Sequence, residues 1–539
     1  MSNRRMLLGV GITLSLFATA CDPDGLTDAN NNPNDPVDAP SATLFTNSAR
    51  LAAARWLDGV NGTRYGFLPQ HMAQVQYPDD DQYLAARLGA SATANLFNNS
   101  YNAELKDLDI LIDRGKAASE PGLWAPAMVL SSWEFGVVTD VFGDVPFTEA
   151  FADAATLRPA YDPQQDVYDS IFVRLDEASD ALASASNELG DGDPIYGGDP
   201  ASWRRFANSL RLRHAMRLAN NAGELSSGRV AAEVTAAAGD AGGLILTNAQ
   251  NAELEWPGNG IYDHPWATNF KSRDDNRVSY RFIEIMRTLN DPRVTVLAMP
   301  AETPLAEIDS QTINYCPSSP TTCYVGLMNA LTHDEASPLL PNTSRVGEIF
   351  YPGVTAYGVF GGTGGAYPSR FFTAAETEFL LAEAAQRGIG TVPGTAQSHY
   401  ENGIRRHMEM LGIPSTTIDA YIAQPAVAYA GGTAGLIQIA TQKWIALFTD
   451  PIQAWAEVRR TCQPAIVEPG PEARFEVLPR RLQYSTTEAA VNADERREAV
   501  VRQWGTAGGD VMTNRIYWDT DTFTAANPTY VAGCSDASQ

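Results

Sequence analysis

From residue 43 onward, apolar side chains recur at three- and four-residue spacing, and that period constrains the fold more than any other property of the sequence. The blocks lie near 43–57, 100–118, 122–140, 163–186, 200–222, 228–238 and 278–290, and again near 373–388, 395–411, 433–449, 450–460 and 494–504. This is the period with which an α-helix buries one stripe of its surface, whereas a half-buried strand alternates. In the block at 200–222 the stripe is Trp203, Phe206 and Leu210, flanked by Arg213 and Arg217. Boundary signals agree with the periodicity. Asp162 reads as an N-cap whose carboxylate accepts from free backbone N–H groups, with Pro163 suited to the first helical position. Thr373 reads as another, with Glu376 three residues on as in a capping box, and Gly388 reads as a C-terminal stop. Thr373–Arg387 and Thr395–Met410 form a helix pair about the size of a tetratricopeptide unit. The signature of that repeat is only partly present, and an ordinary helical hairpin fits the periodicity equally well.

Between about 240 and 372 the pattern lapses. This stretch is rich in Gly, Pro, Asn, Ser and aromatics, with long irregular loops such as Glu348–Pro368, and loops of that length in a compact chain tend to carry function. The expected fold class is therefore mainly α. Helix pairs form a scaffold over about 43–238 and 373–505, and an irregular lobe with few short strands, over about 240–372, carries the ligand site. Residues 43–539 are taken as one domain.

The N-terminus reads as an address. Arg4 and Arg5 precede an apolar run, Met6 to Phe17, and then Ala18-Thr19-Ala20-Cys21. The run is too short to span a bilayer, so a signal peptide over 1–20 is the better reading. A cysteine directly after the small residues implies a lipoprotein, with Cys21 lipidated and residues 22–42, rich in Pro, Asn and Asp, serving as a tether. Four cysteines remain for an oxidising compartment: Cys316, Cys323, Cys462 and Cys534. They allow two disulfides in three connectivities. Cys316–Cys323 is favoured because it closes a short Pro/Ser/Thr loop, leaving Cys462 to pair with Cys534. No CxxC spacing or adjacent histidine supports a metal among them.

The formal charge of −26 repels phosphate backbones and anionic lipid surfaces, which excludes nucleic acid as a partner and leaves membrane attachment to the lipid. No GxSxG motif occurs, the histidines show no HExxH or HxH spacing, and Gly361–Gly365 lacks the Lys-Ser/Thr of a phosphate loop. Carboxylate pairs are too plentiful to single out a glycosidase. Catalytic residues, metal ligands and a cofactor are thus not indicated. What remains is a supply of rings and amides suited to neutral polar ligands, since ring faces stack on sugar rings or peptide planes while amides and carboxylates take hydroxyls. One candidate set is Gln70, Gln74, Tyr77, Asp79, Asp81, Tyr83 and Tyr101. Others are Trp256, Tyr262 and Trp266, and the loop aromatics Tyr351, Tyr357, Phe360 and Tyr367. The Tyr/Gln/Asp cluster at 70–83 is the most polar and is preferred. Asp79-Asp80-Asp81 within it reads either as a solvated turn or as a cation site.

Taken together, these marks resemble the SusD/RagB-like nutrient-binding outer-membrane lipoproteins. They run in order from Asn32-Pro33-Asn34-Asp35-Pro36, through Gln70 with Tyr77-Pro78 and Tyr83, to Phe142–Ala150 and the Trp203–Arg217 helix with its Leu-Arg-Leu-Arg core. Pro265-Trp266, Arg273-Asp274-Asp275 and Leu289–Arg293 follow, then Glu376–Gly388, Gln442–Leu447, Ala454–Arg460, Pro479-Arg480-Arg481 and Tyr517-Trp518. The resemblance implies tetratricopeptide-like helix pairs packed against an irregular lobe. It also implies a non-enzymatic, cell-surface protein that binds an oligosaccharide or a peptide, and a partner, a TonB-dependent transporter of the SusC/RagA kind over which the lipoprotein sits as a lid. The readings set against it are a lipid-anchored hydrolase and a tetratricopeptide-type scaffold with protein partners only.

Overall fold

The computed structural model describes residues 39–57, 66–152, 157–220, 227–304, 311–465 and 469–520. Cys21, most of the tether and Cys534 lie outside them. The main helices of the first half are α1 (Ser41–Ala52, continuing as a wider turn over Ala53–Leu57), α2 (Lys106–Ala118), α3 (Pro121–Phe142), α4 (Gln164–Leu182), α5 (Pro200–Arg217) and α6 (Ser227–Gly239). After them come α7 (Tyr280–Thr288), α8 (Ala374–Arg387), α9 (Ala396–Met410), α10 (Gly432–Ala446), α11 (Pro451–Thr461) and α12 (Ala493–Trp504). The fold is mainly α, and consecutive helices from α2 to α6 pack on one another as tetratricopeptide-like pairs do. α3 is buried along nearly its whole length.

The pair α8–α9 shows how sequence fixes packing. Thr373 caps α8 by accepting the Glu376 N–H (3.3 Å), and Gly388 ends it in the left-handed region at φ 65°, where glycine carries no Cβ penalty. Gly403 lets the Phe379 ring lie against the backbone of α9, since a Cβ there would sit 2.6 Å from the ring. The other half of the capping box is absent, because the Glu376 carboxylate is engaged elsewhere. It receives both Nε and Nη2 of Arg213, at 2.7 and 2.6 Å, with both side chains buried.

That pair belongs to a buried ionic seam joining the two helical blocks. Arg217 reaches Glu457 (2.7 Å) and Asp140 (3.2 Å), and Arg460 grips Glu383 through two bonds of 2.6–2.7 Å while also reaching Glu457. Burial alone would raise the Glu457 carboxyl, but Arg460, Lys443 and Arg217 hold it below the usual carboxylate range. The arginines flanking the α5 stripe are therefore its tie to the C-terminal helices. Arg459 is different. It lies over the rings of Trp455 (3.7 Å) and Trp518 (4.7 Å) and donates to the carbonyls of Asp140 and Arg480.

One boundary differs from expectation. α4 begins at Gln164, one residue beyond Pro163, and Asp162 does not cap it. Its carboxylate accepts from the N–H groups of Phe147 and Thr148, both at 2.9 Å, and so folds the 144–149 loop back. The cap comes from a distance, as Asp144 Oδ1 accepts the Gln164 N–H (2.9 Å).

The stretch between α6 and α8 carries seven of the eight described strands: β1 (Met72–Gln74) lies earlier, and β2 (Ala252–Leu254), β3 (Asn276–Val278), β4 (Thr312–Ser319), β5 (Thr322–Leu327), β6 (Val354–Thr355), β7 (Gly358–Val359) and β8 (Ser369–Phe372) follow. All pair antiparallel, as β1–β3, β2–β8, β4–β5 and β6–β7. The first two pairs join segments far apart in sequence; the others are hairpins. Cys316 and Cys323 form a disulfide near the end of the β4–β5 hairpin, Cα to Cα 4.2 Å, as expected. Cys462 is buried and disulfide-bonded, while Cys534, its expected partner, lies outside the described residues.

Candidate ligand-binding site

The preferred cluster at 70–83 divides sharply by burial. Gln70, Gln74, Asp81 and Tyr83 are buried, Asp79 is half-buried, and Tyr77 is 50% exposed. Gln74 is drawn into β1, where its N–H is taken by Asp81 (3.1 Å). The Gln70 carbonyl accepts the Ser279 hydroxyl at the start of α7. Burial pushes the Tyr83 hydroxyl well above the ordinary phenol range, with the charge of Asp81 adding to the effect. The Gln70, Gln74 and Tyr83 side chains are thus enclosed in the fold, Tyr83 within its main hydrophobic cluster. The acidic run is not a solvated turn, since Asp81 is wholly buried and its carboxylate takes three donors. No group of three metal-ligating side chains occurs among the described residues.

Tyr77 is held from behind. Its backbone is left-handed at φ 58°, and its ring lies under the guanidinium of Arg273 (4.9 Å) and near that of Arg87 (5.7 Å), an arrangement that attracts a cation to the ring face. Burial draws Arg273 down, but Asp275, 2.5 Å away, and Tyr77 hold its guanidinium above the ordinary value, so it keeps its charge.

The loop aromatics divide in the same way. Tyr357 stands at the turn of the β6–β7 hairpin and is 49% exposed. Its hydroxyl donates to the Ser272 carbonyl (3.0 Å), and the neighbouring Ala356 N–H donates to the Lys271 carbonyl (2.9 Å). Phe360 is partly buried, its ring 4.8 Å from Tyr351, which stacks on Phe270 at 4.6 Å. These three rings form the support under the hairpin. Tyr367 packs against Phe350 (5.0 Å) beneath Arg370 (4.8 Å). Trp266 is wholly buried among Phe270, Phe350 and Phe448. Tyr101 packs on Phe97 and donates to the Pro146 carbonyl (2.7 Å). Trp266 is thus enclosed in the core, and Tyr101 is partly buried against it.

Two exposed places result. The segment 271–273 carries Tyr77 through Arg273 and Tyr357 through Ser272, so two candidate sets nearly 300 positions apart meet on one short stretch of chain. A groove of about 470 Å³ lies where Thr43, Asn47 and Arg50 of α1 face Leu254, Trp256 and Tyr262. Its Trp256 indole is fixed by donating to Ser369 Oγ (2.6 Å), and Tyr262 is 53% exposed. Both places offer flat apolar faces beside hydrogen-bonding groups, the pairing a sugar ring requires. Sequence reading missed Arg273 and Arg87 as supports of Tyr77, and the α1 wall of the groove. Arg273 was visible only as part of an Arg-Asp-Asp run, and nothing local marks its reach to Tyr77.

Compared with family models, residues 33–485 match the SusD-like family described as starch-binding and associating with the outer membrane. The chain belongs to this family. Among solved structures, a chitin-binding protein matches this SusD-like chain with a TM-score of 0.73 at 26% identity, covering 89% of this chain and 100% of that one. A chitin-binding SusD homolog from Flavobacterium johnsoniae matches at TM-score 0.70 and 23% identity, over 89% of this chain and 98% of its own. A SusD homolog from Bacteroides uniformis matches at TM-score 0.71 and 23% identity, over 90% and 100%. No curated protein matches the sequence significantly. Among the described residues of this SusD-like protein, no helix is long and apolar enough to cross a membrane.

Proposed function

We propose that this SusD-like protein binds an oligosaccharide at the cell surface and delivers it to a TonB-dependent transporter of the SusC/RagA kind, with Cys21 as its lipid anchor. One observation carries the binding reading: Tyr77, Tyr262 and Tyr357 are half-exposed, and the rings of Tyr77 and Tyr357 are fixed from behind by Arg273 and by the Ser272 carbonyl. A ring left in water gains nothing from the core. Holding it still lowers the ordering cost when a sugar stacks on it. The ligand is bound and released unchanged. In this reading the exposed ring takes the axial C–H groups of the sugar, while Asp79 on the same loop and Arg87 on the short helix that follows it meet hydroxyls.

The chitin-binding protein of similar fold at 26% identity makes N-acetylglucosamine oligomers the first ligands to test. Delivery and anchoring rest on the family and on the Met1–Cys21 signal. Titration calorimetry of the mature protein with chitin oligosaccharides, malto-oligosaccharides and peptides tests the reading. The expected result is saturable binding to a glycan, weakened about 2- to 12-fold by each of Tyr77→Ala and Tyr357→Ala, the range expected of one stacked ring. Binding only to peptides would replace the ligand class. Affinity for a glycan unchanged in the folded Tyr77→Ala, Tyr357→Ala double variant would move the site to the Trp256–Tyr262 groove.

A further inference from the structure

Three residues between 70 and 83 that are not glycine adopt the left-handed region: Gln70 and Tyr77 at φ 58° and Tyr83 at φ 59°. A left-handed backbone is strained for each of these side chains, so the surrounding structure must over-determine this segment. Asp81 is placed to do that. Its Oδ2 accepts the N–H groups of Gln74 (3.1 Å) and Ala330 (3.0 Å), and its Oδ1 accepts the side-chain amide of Asn329 (2.6 Å). The same Asn329 amide nitrogen donates to the Met72 carbonyl (2.8 Å). Gln74 is the last residue of β1, so the bond from Gln74 to Asp81 closes residues 74–81 into a loop upon itself. The other two bonds pin the closed loop to the end of the β5 segment. Tyr77 stands in the middle of it.

We infer that Asp81 is the positioning residue for the Tyr77 ring, its buried carboxylate holding the 74–81 loop closed so that the ring is presented in one orientation. The effect on binding rests on Tyr77 being a ligand contact, as proposed above; the effect on the loop does not. The chemistry of the group supports the assignment. Burial pushes the Asp81 carboxyl up to about 7, against the pull of Asn329, Ala330 and Gln74, and neighbouring Asp80 adds to the push. The titratable groups facing it are Asp80 and Tyr83 of its own segment; from the segment packed against it come only the Asn329 amide and the Ala330 N–H. The ionised carboxylate accepts all three donors. Because the closed loop holds this carboxyl above its free value, protonation favours the closed state over the open one, and a fall in pH through 7 does not release the loop.

The test uses Asp81→Asn in the mature full-length protein, because an amide turns an N–H group toward donors that need an acceptor, with Asp494→Asn, an exposed carboxylate on α12, as the control. Amide hydrogen exchange at Gln74 and Ala330 is expected to speed up about tenfold or more relative to Val278, the scale set by losing a charge-assisted bond. Affinity for a chitin oligosaccharide is expected to weaken about tenfold in the variant at pH 8. Exchange and affinity both at wild-type levels would overturn the inference. Faster exchange with unchanged glycan affinity would leave Asp81 a loop brace and overturn its role for Tyr77. If no glycan binds the wild type, the proposed function fails, and exchange at Gln74 and Ala330 still decides the brace. Should that variant not fold, Asn329→Ala removes one of the three donors, and exchange at Gln74 and Ala330 together with glycan affinity both at wild-type levels in it overturns the inference.

Discussion

The helical scaffold and the loop-rich lobe use the same side-chain types in opposite ways. In the scaffold, arginines are buried and matched: Arg213 to Glu376, Arg460 to Glu383, Arg217 to Glu457. The large rings of Trp203, Trp455 and Trp518 are fully enclosed. In the lobe, Arg273 keeps much of its guanidinium in water and lies over a tyrosine ring that is itself half-exposed. Exposed apolar side chains gather there too, at Ile261, Val354 and Val359. Matched buried charge fixes one arrangement of helices, because any other leaves an unpaired ion in a dry interior. An exposed ring adds little to stability, and its rigid mounting has a physical use only when something stacks on it.

The sharpest way to break this contrast is to remove one scaffold ion. Arg213→Met leaves the Glu376 carboxylate buried without its two-bonded partner, a loss expected to cost about 3 kcal/mol or more. Urea unfolding should show the drop, while glycan affinity of the folded fraction stays at the wild-type value. A loss of affinity as large as the loss of stability would mean that frame and site are one unit, and the contrast would fail.

The second prediction uses pH. His71 is buried beside Trp444, whose carbonyl accepts its Nε2–H (2.9 Å), and burial lowers its pKa to about 3, with that bond acting in the opposite direction. The folded value lies below the unfolded one. The stability this histidine contributes is therefore full above about pH 6.5 and is lost as the pH falls from there toward 3. Each unit of that window is worth up to about 1.4 kcal/mol for one such group. His71→Gln keeps a donor for the Trp444 carbonyl and should flatten part of the acid limb of a stability–pH curve. An unchanged limb would show that other groups set it.

Much of the frame was legible in the sequence, because a helix period and a cap are local. The blocks containing Trp203, Thr373 and Gly388 fold as their spacing predicts. Asp162 shows the limit: its residue type and the following proline predict a cap, but the 144–149 loop competes for its carboxylate and Asp144 caps in its place. The site was legible only by residue type. Tyr77 and Tyr83 are six positions apart in the same polar run, yet one is half in water and the other enclosed. What separates them is where distant chain comes in: Arg273, about 200 residues away, lies over a Tyr77 ring left half in water, while Tyr83 is enclosed in the main hydrophobic cluster. The same holds for Trp266 and Tyr262, four positions apart and on opposite sides of the surface. Burial of a given ring is decided by distant chain, and no local pattern encodes it.

The smallest expected effect gives the finest test of the difference between scaffold and lobe. Tyr357→Phe keeps the ring and removes only the hydroxyl that donates to the Ser272 carbonyl. That bond lies at the surface, where water can replace it, so its loss should change stability by no more than about 0.5 kcal/mol. Its consequence should appear in binding. A ring free to turn must be ordered by the ligand, at about 0.5 kcal/mol for so short a side chain, which is roughly a 2-fold weaker Kd, smaller than the loss in Tyr357→Ala, with most of it in entropy. Calorimetry on Tyr357→Phe beside Tyr357→Ala separates the two contributions: the phenylalanine variant reports the mounting of the ring, and the alanine variant reports mounting and stacking together. Equal losses in the two variants would place the binding contribution of Tyr357 in its hydroxyl, and the reading of this residue as a stacking platform would be wrong.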